Sequence, residues 1–252
     1  MASEVKTNKI SPATSSTVTL GDASDTFVIP ASATLDVNGT IDITGATTTG
    51  FPSSGFNKWT PVTASDSTFD LQDGTTKVIL EVQASGGTAG DNSGAGYDGG
   101  AGAAGAYARK LLDPMVDTDT LDITIGAVPA TGGTAGTTTS VASASGTSFT
   151  TVTCTGGQSG LAAGGGSHSN GGAGGALPTT GDLNIQGANG KAPALGTAGA
   201  GSFFGVGGAR NDGATGNGVA GTGYGSGGGS GRGASSTGGA GAPAIVMVWE
   251  YK

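Results

Sequence analysis

Gly225-Ser226-Gly227-Gly228-Gly229-Ser230-Gly231 belongs to a glycine-dense tract, residues 155–241, whose reading decides what this chain can be. Of the 53 glycines in the 252 residues, only six precede residue 75. Glycine loses more backbone entropy on folding than any other residue and brings no side chain to bury, so a linker or a disordered tract is the default outcome. Collagen is a second outcome, but it needs glycine at every third position and abundant proline. Gly164-Gly165-Gly166 and Gly227-Gly228-Gly229 break that period, and the whole chain has 9 prolines. The third outcome is a folded stack of extended helices with three residues per turn, the glycine counterpart of polyproline II. Such helices make no internal hydrogen bonds. Their N–H and C=O groups are free to bond neighbours, and the missing Cβ lets the backbones come close enough to do so.

The content of the tract selects the folded stack. Its only charges are Asp182, Lys191, Arg210, Asp212 and Arg232, and it contains Phe203-Phe204. A linker of this length would carry many Ser, Lys, Glu and Gln and would lead nowhere in particular. This one leads into Ala244-Ile245-Val246-Met247-Val248-Trp249-Glu250-Tyr251, which reads as a buried strand whose partners precede the tract. Ile245, Met247, Trp249 and Tyr251 share one face of it.

Before the tract the chain reads as a β frame. Lys77-Val78-Ile79-Leu80-Glu81-Val82-Gln83-Ala84 is apolar on both faces and predicts an interior strand that opens directly into a first glycine stretch, residues 86–105. Further strands are expected at residues 106–112, 119–126, 137–143 and 148–155, and no stretch reads as a helix. Cys154 is the single cysteine, so no internal disulfide can form, and its place in a Thr/Val-rich strand predicts a small buried hydrophobe.

The first 56 residues differ. Short alternating runs at residues 18–20, 27–30, 35–37 and 41–43, with Asn38-Gly39 as a hairpin signal, bring only two or three apolar side chains each. So thin a stripe buries too little surface alone, and the expectation is a trimeric β-stalk in which copies supply the missing hydrophobic face. Gly50-Phe51-Pro52-Ser53-Ser54-Gly55 is the junction. The expected organisation is therefore all-β: a stalk or attachment segment over residues 1–56 and a glycine-rich domain over 57–252. Within that domain a frame (57–155 and 243–252) holds a tract (156–242) of stacked polyglycine-II-like helices.

Composition narrows the function. Hydrophobic content of 35%, aromatic content of 5% and charged content of 11% are low for an ordinary enzyme, and the last is also low for charged disorder. The net charge of −8 has the wrong sign for nucleic acid or an anionic membrane surface, and no apolar run approaches the ~20 residues of a membrane span. Eight of the acids, against three lysines, fall within residues 1–75, while the tract is close to neutral. Contacts made by the tract should thus rest on shape, backbone and a few side chains. The polar start of the chain lacks the apolar core of a signal peptide.

The order of these segments resembles a family. Residues 60–84 followed by Gly86-Gly87, then residues 102–112, Leu121-Asp122-Ile123-Thr124-Ile125-Gly126, Gly136-Thr137-Thr138-Thr139-Ser140-Val141 and the ending Gly238-Gly239-Ala240-Gly241-Ala242-Pro243-Ala244-Ile245-Val246-Met247-Val248-Trp249-Glu250-Tyr251 look like the glycine-rich C-terminal domain of bacteriophage tail fibres. Residues 5–45 are similar to the short repetitive β-segments of marine and cyanobacterial phage fibres. The resemblance implies a structural virion protein, made in the host cytoplasm, whose distal domain binds a host surface protein or glycan. Its N-terminus would join other tail or baseplate proteins. A purely structural capsid or collar decoration is the alternative.

Candidate chemistry is sparse. Catalysis needs converging titratable groups, and the one histidine, His168, lies in Gly166-Ser167-His168-Ser169-Asn170-Gly171, which reads as an exposed loop. Gly94-Ala95-Gly96-Tyr97-Asp98-Gly99 fits the dinucleotide pattern, but no helix is expected after it. Asp91, Asp98, Asp113, Asp117, Asp119 and Asp122 lack the spacing of a calcium loop and read as solvated turns. No catalytic residue, metal or cofactor is expected. The large side chains of the tract remain: His168, Asn170, Phe203, Phe204, Arg210, Asn211, Tyr224 and Arg232 are candidate receptor-binding loop residues or internal props, because aromatic and arginine side chains carry much of the energy of binding surfaces. Of Phe203 and Phe204, one is expected to pack inward and the other outward.

Overall fold

The computed structural model describes residues 55–93, 97–129, 132–164, 168–192, 198–211 and 216–252. The stalk expected over residues 1–56, with its hairpin and its trimer, lies outside them apart from Gly55 and Phe56. Within the described residues the chain is all-β, and no helix of any kind occurs.

Nine strands form two antiparallel sheets. The first has the order β1-β9-β3-β4-β8, built from β1 (Phe56–Val62), β9 (Ile245–Tyr251), β3 (Lys77–Gln83), β4 (Tyr107–Leu112) and β8 (Leu183–Ile185). The second has the order β2-β5-β6-β7, built from β2 (Asp66–Asp70), β5 (Thr120–Thr124), β6 (Thr139–Ser145) and β7 (Val152–Cys154). As the alternation of β9 requires, Val246 and Val248 face inward, and Val78, Leu80 and Val82 of β3 lie beside them. Leu121, Ile123, Val141, Val152 and Cys154 close the same core from the second sheet. Fully burying an aliphatic side chain such as Leu80 contributes about 1.5–3 kcal/mol. The partners of the terminal strand are β1 and β3, both earlier than the tract.

One end of this frame is fixed by polar groups. Glu250 is fully buried and its Oε2 accepts from the Gln72 amide at 2.6 Å and the Thr75 hydroxyl at 3.0 Å, tying the β2–β3 loop to β9. Asp119, expected in a solvated turn, is 1% exposed instead. Its carboxylate accepts from the Val116 and Thr147 amides, both at 2.9 Å. Burial alone would raise its pKa; these bonds outweigh burial and hold the carboxyl below its ordinary range. Gly146 beside it has φ +83°, and a Cβ there would meet Asp119 Oδ1 at 1.8 Å, so only glycine serves.

The glycine segments run outward from the β frame and back. Residues 84–93 leave β3 and 97–106 return to β4. Residues 155–164 leave β7, and 168–176 return toward β8. Residues 186–192, 198–202, 205–211, 216–222, 225–232 and 236–244 complete the excursions before β9. One strand, β8, comes from inside the tract. Its three residues are too short a pattern to be read among glycines.

Neighbouring segments bond with a period of three. In the segment 100–106, Gly100, Ala103 and Ala106 donate to the carbonyls of Leu161, Gln158 and Thr155, Ala101 and Ala104 to those of Lys191 and Ala188, and Gly102 and Gly105 to those of Gly228 and Gly225, all at 2.8–3.4 Å. Acceptors on each neighbour also step by three. A β-ladder alternates between two sides and an α-helix bonds within itself, so neither gives this rotation. The approach is close: a Cβ on Gly102 would lie 2.1 Å from the Gly87 oxygen and 2.9 Å from the Gly228 nitrogen.

Candidate functional site

The out-and-back course sorts the eight candidate side chains into two groups at opposite ends of the tract. Residues 98 and 106 bound one returning segment, and eight steps at ~3.1 Å each place these ends about 25 Å apart if the segment is fully extended as polyproline II.

The far end carries five of the eight in close register. His168 and Asn170 are exposed, and Arg232 is half-buried. The Asp98 amide donates to His168 Nδ1 at 3.2 Å, and the Tyr97 ring meets the imidazole edge-on at 5.5 Å. Asp98 and Gly216 both form backbone bridges with Arg232. Asn211 donates from Nδ2 to the Asn217 carbonyl at 3.2 Å, and Arg210 precedes it on the same outgoing segment. Asp98 is 3% exposed rather than solvated. A shallow cavity of about 280 Å³ lined by Asp91, Asn92, Ser236 and Thr237 opens at the same end. Gly238 donates to Asp91 Oδ1 at 2.9 Å, which fixes that carboxylate in its wall.

Phe203, Phe204 and Tyr224 lie at the near end, where the tract meets the sheet. Phe203-Phe204 occupies the turn between two segments closed by the Ser202 amide on the Gly205 carbonyl at 2.9 Å. Tyr107, the first residue of β4, is 2% exposed because both phenylalanines cover it. Phe203 stacks on its ring at 4.2 Å and 21°, and Phe204 meets it edge-on at 5.7 Å. Phe203 still keeps 54% of its surface open while Phe204 is half-buried. Both therefore act as props, and one of them also presents a free face. Tyr224 bridges Phe204 through the backbone. Burial, followed by Glu81, raises the Tyr107 hydroxyl well above its ordinary value, and it donates to Glu81 Oε1 at 2.7 Å. Trp249 Nε1 donates to Glu81 Oε2 at 2.8 Å. Burial likewise pushes the Cys154 thiol up to about 12, so it stays neutral as a core hydrophobe.

Sequence reasoning did not single out Tyr97, Tyr107 or Gln83. Tyr97 was hidden inside a glycine pattern that attracted attention for its spacing alone. Gln83 had a signal, being the one polar residue with an uncharged amide at the mouth of the strongest apolar strand. Among the described residues no three His, Cys, Asp or Glu side chains gather as a metal site would require. Nor is any helix there long and apolar enough to cross a membrane. No family model matches the chain, and no curated protein matches its sequence significantly.

Proposed function

We propose that this chain is a phage tail fibre protein whose glycine-rich domain binds a host cell-surface receptor, with residues 1–56 as a trimeric stalk docked on other tail or baseplate proteins. In this reading the tract is a stack of polyglycine-II helices. What supports the stack is the threefold rotation of its amides among three neighbours and the close backbone approach that follows. The observation that carries the receptor reading is the far end itself. Separate out-and-back segments bring Tyr97, His168, Asn170, Asn211 and Arg232 together at the end most distant from the sheet. Such an arrangement holds loops on a rigid scaffold while leaving their side chains free to vary, as binding surfaces require. In this reading the chain binds and supports rather than catalyses.

Fluorescently labelled full-length chain should bind cells of some strains in a bacterial panel, and a Tyr97→Ala/His168→Ala/Asn170→Ala variant of unchanged melting temperature should not. Binding that survives this variant, or a chain that binds none of the strains, argues against the receptor reading. Immunogold labelling confined to phage heads would instead favour capsid decoration. Light scattering should give a particle three times the 23.7 kDa of one chain; a monomer would remove the trimeric stalk.

A further inference from the structure

We infer that the open part of the outer face of the five-stranded sheet is where copies of this chain meet one another. The inference rests on the trimer of the proposed function and names the face that its glycine-rich domains share. Directly opposed residues of antiparallel strands point to one side of a sheet. On this side Trp59, Trp249, Ile79 and Leu111 form one row across β1, β9, β3 and β4. At ~4.8 Å per strand the row is about 14 Å long. Trp59 stacks on Trp249 at 5.7 Å and 24°, and Phe56 meets Trp249 at 6.3 Å and Tyr251 at 6.0 Å. Yet Phe56 is 56% exposed and Trp59 48%. Farther along the same face Ile245, Gln83 and Tyr107 are buried, with Phe203 and Phe204 over Tyr107 and Gly225 against Gln83. The chain thus covers one end of this face itself and leaves the aromatic end open, and contiguous open apolar surface of that kind marks a contact with another molecule.

Two observations name further copies of this chain as the occupant. The first is where the incoming chain enters. Residues 1–54 reach the domain at Gly55, which is clamped to Lys252: its amide donates to the Lys252 carbonyl at 3.0 Å, and its carbonyl accepts from the Lys252 amide at 2.9 Å. The next residue is Phe56, so the chain enters at the corner of the aromatic face. A preceding segment that gathers three copies therefore brings three such corners to one axis. The second observation is charge. Copies present like charges to one another, so a face that meets itself must have its charges matched within each copy. Glu81 stands opposite Arg109 on β3 and β4, and its two oxygens also accept from the Tyr107 hydroxyl and from Trp249 Nε1. Lys77, on the same face, pairs with Asp113 at 2.9 Å. Even with the Phe56 corner the row covers far less than the ~800 Å² per partner of a stable interface. It closes once residues 1–54 have raised the local concentration of the copies.

Trp59 and Trp249 are the only tryptophans of the chain, so its intrinsic fluorescence reads this face alone. In the full chain, assembled as three copies by light scattering, both should be shielded from acrylamide. Leu111 is exposed and lies two strands from Trp249. Leu111→Glu and Leu111→Lys should each raise acrylamide quenching and shift the emission to longer wavelength, because a buried apolar face rejects a charge of either sign. Both should keep the far-UV circular dichroism of the unmodified chain. Val128→Glu, at an exposed apolar position that follows β5 of the other sheet, should change neither reading. A particle of three copies whose tryptophans are quenched as readily as those of the Leu111 variants overturns the shared face and leaves the trimer standing. Shielding that persists in both Leu111 variants also overturns it, as does shielding in a single copy, where the cover comes from the same chain. Single copies with open tryptophans remove the trimer and the shared face together.

Discussion

The β frame and the glycine tract are neighbours in one chain, and each solves the problem of burial with what the other lacks. In the frame, Leu80, Leu121, Ile123 and Val248 exclude water with their side chains, and backbone bonding follows from strand pairing. In the tract there is almost nothing to exclude water with. Ala101, Ala103 and Ala104 are fully buried, yet they contribute one methyl each. Order there rests on backbone amides that each find a different neighbour and on the absence of the Cβ atoms that would prevent it. The frame should tolerate changes of side-chain shape and resist loss of volume. The tract should do the reverse, tolerating nothing larger than hydrogen where segments touch.

The largest effect that would break this contrast is expected at Gly102. Its Cβ would press on Gly87 and Gly228 together, so Gly102→Ala should cost about 4 kcal/mol or more through overpacking and two displaced backbone bonds, read by chemical denaturation. An effect below ~1 kcal/mol would mean that the segments are not held in contact. Leu80→Ala, at the centre of the frame, should cost about 3 kcal/mol, since a buried leucine cannot be removed without a cavity. Were Gly102→Ala milder than Leu80→Ala, the tract would be an appendage of the frame.

Asp119 sharpens the comparison on the polar side of the frame. Asp119→Ala leaves the Val116 and Thr147 amides without their acceptor and should cost about 2 kcal/mol. Because the folded carboxyl titrates below its unfolded value of about 3.9, its contribution is fully present above that pH and is lost as pH falls through the folded value. Urea unfolding near neutrality and below about pH 4 should therefore show a loss of stability on acidification that Asp119→Ala makes smaller. The smallest effect is expected at Gly201. Gly201→Ala should lie within about 0.5 kcal/mol of the unmodified chain, in contrast to Gly102→Ala. A large effect there would show that the space around Gly201 is not open in solution.

Much of the frame was legible before any coordinates. The expected strand at residues 77–84 is β3, and those at 106–112, 119–126 and 137–143 are β4, β5 and β6 with ends trimmed or shifted by one or two residues. The closing strand pairs as its apolar run required. Less legible was β8, because Leu183 and Ile185 are two apolar residues among glycines and owe their strand to pairing with Arg109 and Tyr107. The acidic turns were misjudged at Asp98 and Asp119, because charge argues for solvent; at Asp119 two backbone amides compensate it, and the one from Thr147 lies too far along the chain to be read locally. Of the candidate side chains, the sequence could name them as unusual but could not sort them. Phe203 and Arg232 differ little in context along the chain, yet one belongs to the near end and the other to the far end.

By itself the sequence determined the all-β class, the interior and terminal strands and the near-neutral, glycine-dense character of the tract, because periodicity and composition are local properties that a short window reveals. Only the tertiary structure decided which segments lie beside which. Amides of the glycine segments bond carbonyls that can be more than a hundred residues away, as Gly102 does with Gly228, and glycine carries no side chain to advertise its partner. The strands announce their neighbours through the faces they must bury, whereas the tract does so only through space that a Cβ would have filled.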